Sequence, residues 1–299
     1  MPPKISLAMI VKNAARHLPE ALEGVKGWAD EIIIVDDESQ DNTREVAHRY
    51  TDKVFVRKMD LEGRQRNFTV DKACNDWVLW LDADERITEE LKKEITETLS
   101  NHRDEKIVAY WIPRQNYLGK KWLQYGGWYP APHIKLYNRH CLRWREVPHD
   151  VVHPGVDIKE GYKGAQLKHP LIHYNFADIE DFLAKLNRQT SLEALKWHLM
   201  GKRVSSWMGL WKGVDRFWKR YIYRKGYKDG FYGFVGAFLS AFYQWAAYLK
   251  YREMSLNDPK RFAGVEKTSS KKIPNHKFQT KNKLQNTKPN LNNQTHTNE

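Results

Sequence analysis

A chain of 299 residues with 41% apolar side chains and 12 tryptophans is long and apolar enough to fold as one large α/β domain or two smaller ones. That composition excludes disorder throughout, and two cysteines, Cys74 and Cys141, exclude a disulfide framework. The net charge of +13 points to an anionic partner: nucleic acid, phospholipid headgroups or a phosphorylated substrate.

In chain order, Ile5 to Val11 reads as a strand, Asn13 to Glu23 as a helix and Glu31 to Val35 as a second strand. A helix from Thr43 to about Tyr50, a strand from Lys53 to Arg57 and a helix from Arg64 to Ala73 follow. Trp77-Val-Leu-Trp-Leu81 is an uninterrupted apolar run, the pattern of a strand buried on both faces of a parallel sheet. Thr88 to Leu99 carries Leu91, Ile95 and Leu99 at four-residue spacing, an apolar stripe suited to packing on that sheet. Strands alternating with helices predict right-handed βαβ units, and Ile107 to Pro113 adds a further strand.

Two of these strands end in acid. Val35 is followed by Asp36-Asp37-Glu38, and Leu81 by Asp82-Ala83-Asp84-Glu85. Open α/β sheets bind ligands at the carboxyl ends of their strands. Clustered carboxylates there repel one another unless a cation sits between them, and oxygen ligands suit Mg²⁺ or Mn²⁺. A single acidic turn reads equally as the cap of the next helix, which Thr88-Glu89-Glu90 would start. Two at equivalent sheet positions point to a site on which Asp36, Asp37, Asp82 and Asp84 converge.

Val35 to Thr43, then Arg66-Asn67, then Leu81 to Glu85 resembles the nucleotide-sugar-binding half of the family 2 inverting glycosyltransferases. Gly126-Gly-Trp-Tyr-Pro130, Leu167-Lys168, Leu171-Ile-His-Tyr174, Phe182 to Asn187 and Gly226 to Gly230 extend the resemblance over about residues 5 to 252. They direct it to the branch that includes lipopolysaccharide-core β-glucosyltransferases. The resemblance implies a GT-A fold with a mostly parallel central sheet, a nucleotide-diphospho-sugar donor such as a UDP-hexose, and a divalent metal, Mg²⁺ or Mn²⁺. It implies that Val11, Asp36 and Asp37 hold nucleobase and ribose, and that Arg66 lies beside base or phosphates. Asp82 would contact ribose or metal, and Asp84 would bind the metal that bridges the diphosphate. Inverting transfer also needs a general base. Pro148-His149-Asp150 matches a His–acid pair of the branch, which makes Asp150 the candidate. The stretch before Gly161 is longer than the branch pattern, so His153 is the other candidate for that place.

Acceptor contacts are expected from Gly127, Trp128, Tyr129 and His133, since aromatic faces suit sugar rings and Gly126-Gly127 suggests close backbone approach. Some of these aromatics read simply as core, and His149 and His173 read also as structural histidines. From Lys196 to Lys228 there are ten basic residues against one acid, Asp215. Ser205 to Arg224 reads as a basic amphipathic helix with Trp207, Trp211 and Trp218 on its apolar stripe and Arg216, Lys219 and Arg220 away from it. That pattern predicts docking on an anionic membrane surface; the plainer reading is a helix packed on the catalytic domain. Phe231 to Leu249, uncharged but diluted by polar residues and glycine, reads as an interfacial or packed helix rather than a span.

The expected organisation is therefore a donor-binding half at 1–100, an acceptor half at 101–195, membrane-associated helices at 196–262 and a disordered Lys- and Asn-rich tail at 263–299. No stretch resembles a secretory signal, so a cytoplasmic enzyme on the inner face of a membrane is expected, with a glycolipid or lipid-linked acceptor. A polyprenyl phosphate or a protein is the alternative acceptor. A basic nucleic-acid-binding protein or a membrane adaptor is the rival class, and no nucleic-acid-binding motif supports the former.

Overall fold

The structure, a computed structural model, describes residues 3–102, 104–147, 154–202 and 204–257. The tail expected from 263 lies outside them. The chain first alternates β1 (Ile5–Val11), α1 (Leu18–Glu23), β2 (Glu31–Asp36), α2 (Thr43–His48), β3 (Val54–Val56), α3 (Glu62–Asp71) and β4 (Trp77–Trp80). The short β5 (Glu85–Arg86) leads into α4 (Glu89–Ser100), and β6 (Ile107–Ile112), β7 (Arg114–Leu118) and β8 (Lys121–Trp122) follow. Next come β9 (His133–Asn138), β10 (Leu142–Trp144), β11 (Val156–Ile158), β12 (Lys163–Gln166) and β13 (Leu171–Phe176). The chain then turns helical, as α5 (Ile179–Leu199), α6 (Ser206–Trp218) and α7 (Gly230–Asn257).

The large sheet has the order β12-β6-β9-β4-β1-β2-β3, and β9 runs antiparallel to both its neighbours while the other pairings are parallel. This is the mostly parallel α/β sheet of a GT-A-like fold. β1 lies between β2 and β4; Val11 aligns with Asp36, and the Leu81 amide donates to the Ala8 carbonyl. Both acidic turns thus leave the same edge of the sheet. β4 is buried along its whole length, as its apolar run predicts, and Leu91, Ile95 and Leu99 of α4 join one core layer. Thr88 caps α4 by accepting from the Leu91 amide at 3.2 Å. Asp82 and Asp84 are therefore not needed as caps.

The helix expected from Asn13 begins only at Leu18. Asn13 takes a positive φ of 49°, which breaks helical geometry. Its amide donates to Ser39 Oγ at 2.8 Å, its side-chain carbonyl accepts from the Gln40 amide at 2.8 Å, and the Ala14 amide donates to Thr43 Oγ1 at 2.7 Å. Those bonds lock the loop after β1 to the loop after β2, and they replace the first helical turn.

A smaller sheet, β5-β13-β7-β8, sets His173 beside Glu85 in register. Beyond it, α6 lays Gly209 and Gly213 on α7; a Cβ at Gly213 would come within 1.9 Å of the Trp245 indole nitrogen. The tryptophan stripe consequently faces away, with Trp207, Trp211 and Trp218 at 72%, 59% and 63% exposure. Phe217 and Tyr221 turn instead to Phe234 of α7. The helix expected through Arg224 ends at Trp218 and widens into a π turn, Lys219–Tyr223. Among the described residues no helix is long and apolar enough to cross a membrane.

Glu31 staples the far end of the sheet: the Ser6 hydroxyl and the Cys74 amide donate to it, and Lys53 pairs with it. Burial alone would raise its carboxyl, but Lys53 and Ser6 outweigh burial and bring it to about 2. A depressed carboxyl contributes stability in full above its unfolded value of about 4.3, and loses it as pH falls towards the folded value. Glu31→Gln is expected to lose about 2–3 kcal/mol at pH 7 and almost none near pH 2. Urea unfolding across that range checks this; an equal loss at both ends would contradict it.

Candidate active site

A cleft of about 620 Å³ opens at the carboxyl edge of the sheet, and Arg66, Asp82, Asp84, Lys135, Trp144 and His173 are among the residues that line it. Asp82 and Asp84 face different partners there. Asp82 accepts from the Trp80 indole at 3.0 Å and from the Lys135 ammonium at 2.7 Å. Lys135, buried on β9, also donates to Glu85 at 2.6 Å, and the Asp82 amide donates to the same Glu85 oxygen at 3.0 Å. Burial would raise the Asp82 carboxyl, but Lys135 and Arg66 outweigh it and hold Asp82 well below the usual carboxylate range.

Asp84 looks across the cleft at His173, whose Nε2 lies 3.6 Å from a carboxylate oxygen. Asn116 fixes that ring. Its amide nitrogen donates to the carbonyls of Trp128 and Arg114, which leaves its oxygen to accept from His173 Nδ1 at 2.7 Å. In neutral His173, Nε2 then carries a lone pair towards Asp84. Two acceptors facing each other fit a cation between them, with the remaining coordination positions left to phosphate oxygens and water. When His173 is instead protonated on both nitrogens, its Nε2–H faces Asp84; burial opposes the charge on Asp84, and that imidazolium more than offsets it, so against it this carboxyl sits low.

The expected partner of Asp84 is amended: the group that faces it is His173, while each Asp82 oxygen accepts one hydrogen bond and keeps a further lone pair. Among the described residues no group of three His, Cys, Asp or Glu side chains is gathered to hold a metal by itself.

Arg66 lines the cleft. Its guanidinium sits between the rings of Trp80 and Trp144, 4.3 and 4.4 Å from their centroids, and pairs with Glu62 at 2.8 Å. Asn67 holds Trp144 in place, accepting from its amide at 3.0 Å and donating to its carbonyl at 2.9 Å. Val11, Asp36 and Asp37 lie at the ends of β1 and β2 on the same sheet edge, but they do not line the large cleft. Asp37 binds the Lys12 ammonium at 2.9 Å and the Met59 amide at 2.8 Å. Asp36 accepts from the Ser39 amide at 2.9 Å, and its other oxygen is buried with no hydrogen-bond partner.

The four acceptor candidates separate. His133 lines the large cleft, with its Nε2 2.6 Å from Arg114. Gly127 and Tyr129 border a different depression beside Arg224. The close approach expected at Gly127 is to that arginine: a Cβ there would lie 2.3 Å from its guanidinium. Trp128 packs edge-on to Phe176 and Phe182. Arg220, expected on a membrane-facing side, is corrected as well: it stacks 4.6 Å over Trp128 because the π turn re-aims it inward. His149, Asp150 and His153 lie outside the described residues; Pro154 and Gly155, which follow them, line the cleft.

Lys135, Glu85 and Asn116 escape a reading by motif. The signal for Lys135 is a cation inside the apolar strand Ile134-Lys-Leu-Tyr137, which has to find a buried counter-charge.

A cleft at the carboxyl edge of a mostly parallel α/β sheet is the architecture of a GT-A-like fold. The family model "Glycosyl transferase family 2" matches residues 6–154. An uncharacterised glycosyltransferase of Rickettsia typhi is 30% identical over 85% of this chain and 88% of its own length. The lipopolysaccharide core biosynthesis glycosyltransferase LpsC of Rhizobium meliloti is 26% identical over 81% of this chain and 90% of its own. The crystal structure of Staphylococcus aureus TarS 1-349 aligns with 89% of this chain and 91% of its own at 14% identity and a TM-score of 0.41. The chain belongs to glycosyltransferase family 2.

Lys135→Met leaves the carboxylate of Glu85 buried beside an apolar side chain and is expected to cost about 3–5 kcal/mol. Lys135→Met with Glu85→Gln should recover most of that, because the stranded charge is gone. Chemical unfolding of both variants checks this; a double variant no more stable than the single one would refute the assignment.

Proposed function

We propose that this glycosyltransferase moves a hexose from a UDP-sugar, with inversion, to a glycolipid or lipid-linked saccharide at the cytoplasmic face of a membrane. The observation that carries the reading is the Asp84–His173 pair, 3.6 Å apart, in a cleft where the cations Arg66, Arg114, Lys135, Lys185 and Arg188 outnumber the other acids, Glu62 and Asp82. Such walls suit a diphosphate. A divalent ion held by Asp84 and His173 would neutralise the charge that builds on the departing diphosphate.

The chain's own groups take the remaining roles. Arg66, held between two indoles, presents its guanidinium to the donor phosphates. Asp82, kept ionised by Lys135, accepts hydrogen bonds from ribose hydroxyls. Asp150 takes the proton of the acceptor hydroxyl as that oxygen bonds the anomeric carbon and the bond to the UDP oxygen breaks. The acceptor class is supported by two findings. One is the relative named for lipopolysaccharide core biosynthesis. The other is the exposed Trp207–Trp211–Trp218 face of α6, beside the exposed Lys219.

Release of UDP from UDP-hexoses, with Mn²⁺ or Mg²⁺ and a lipid-linked saccharide, tests the chemistry. Asp84→Ala should lose at least a hundredfold in kcat, and excess EDTA should stop the wild type. Asp150→Asn should lose on the order of 10²–10⁴ in transfer while still binding UDP. Full wild-type turnover in EDTA would sink the metal assignment, and normal transfer by Asp150→Asn would move the base to His153.

Membrane docking has its own assay. Co-sedimentation with anionic vesicles should fall several-fold in Trp211→Ala with Trp218→Ala, and added salt should weaken the wild type. Wild-type protein left in the supernatant at low salt would remove the membrane from the proposal.

A further inference from the structure

A second cavity, of about 400 Å³, adjoins the cleft at Arg114, His173 and Asn175, which line both. It extends towards the C-terminal helices, where Phe182 of α5 and Leu239 of α7 give it apolar walls. Arg114, Arg216 and Arg220 line it together with a single acid, Glu193. Neither Arg216 nor Arg220 has a carboxylate partner among the described residues, whereas Lys219 between them pairs with Asp215 at 2.8 Å.

Arg220 is the informative group. It stacks on Trp128 and donates to the Gly126 carbonyl at 3.2 Å, while its Nε is buried without a hydrogen-bond partner. The Nε of Arg114 is buried and unpartnered too. Burial, with the neighbouring charges of Arg216 and Arg224, pulls the Arg220 guanidinium down to about 10. A buried guanidinium among like charges is costly unless an anion arrives to pair with it. The π turn that aims Arg220 inward is itself a feature frequent at functional sites. Guanidinium forks match the oxygens of phosphate.

We propose that this cavity binds a phosphate monoester carried by the acceptor, with Arg216 and Arg220 on the phosphate and the aromatic walls against the body that bears it. The inference deepens the proposed function and rests on its placing of the acceptor beside the donor cleft. Arg216 is both solvent-exposed and on the cavity wall, so the outer mouth lies on α6, the helix with the exposed tryptophans. An acceptor tethered at that face would lodge its phosphate on Arg216 and Arg220 and extend its accepting hydroxyl past Arg114 to the donor.

The test is calorimetric titration of the full-length protein, saturated with UDP so that the diphosphate site is filled. Phenyl phosphate and the neutral phenyl β-glucoside serve as probes. Phenyl phosphate is expected to bind at least tenfold more tightly than the glucoside. Arg216→Gln and Arg220→Gln should each remove most of that preference and leave UDP affinity unchanged. Circular dichroism checks folding; if Arg220→Gln does not fold, the exposed Arg216→Gln still decides. Equal affinity for the two probes, wild-type preference in the glutamine variants, or displacement of phenyl phosphate by UDP each overturns the inference. Competition by phosphatidylglycerol vesicles but not by phosphatidylcholine vesicles assigns the anion to a lipid headgroup and overturns it too. UDP titrated alone separates the two readings. Loss of the phosphate preference with UDP binding intact fails this inference only, whereas absent UDP binding fails the donor reading and this inference with it.

Discussion

The active edge of this enzyme depends on Lys135, an ammonium buried at the centre of the sheet between two carboxylates. It sits on β9, the strand that runs against its neighbours, and it reaches Asp82 at 2.7 Å and Glu85 at 2.6 Å. At such distances in a medium less polar than water the attraction is strong, and losing either sign would leave a costly buried charge. The consequence is a division of labour within Asp82-Ala83-Asp84-Glu85. Glu85 is spent on structure and Asp82 is held ionised. Asp84 is left to face His173 across the cleft.

Much of this was legible in the sequence. β1, β2, β4 and α4 follow from apolar runs and a four-residue stripe, because burial on a sheet imposes those periods directly on the residues. The acidic turns follow from the same logic, since a buried strand that ends in acid has to end at an edge. What periodicity does not carry is pairing over distance. Lys135 meets Glu85 from another strand, and Asn116 orients His173 across 57 positions. Lys135 leaves a local mark as a cation within an apolar strand, but nothing local names its partner, and the Asn116–His173 pair leaves none.

Two expectations failed for a related reason. A helix from Asn13 satisfies local propensity, yet Ser39 and Thr43 offer the Asn13 and Ala14 amides better-placed acceptors from the neighbouring loop. Similarly, a continuous helix through Arg224 would keep Arg220 with the other surface cations. The π turn shifts the phase of the chain after Trp218, and Trp128 then provides an aromatic face for the re-aimed guanidinium. In both cases a tertiary partner outweighed the helical pattern.

The basic C-terminal module is therefore not a uniform charged patch, and its parts answer different demands. One face of α6 is reduced to glycine so that Trp245 and Tyr248 of α7 can lie against its backbone. Another keeps its tryptophans in the open. The turn after it delivers arginines to the segment that carries Gly126 and Trp128, and the Tyr125 amide donates to the buried Asp229 at 2.8 Å to fix that contact. Arg114 and Asn116 on β7 then connect this segment to His173 and so to Asp84. A set of polar contacts runs from Arg220 in the turn after α6, through the segment of Gly126 and Trp128, to His173 at the edge of the donor cleft. Displacing the module would strip Trp128 of Arg220 and Gly236, and with them the support of the wall that aligns His173. The helices thus belong to the catalytic architecture, whatever surface their outer face meets.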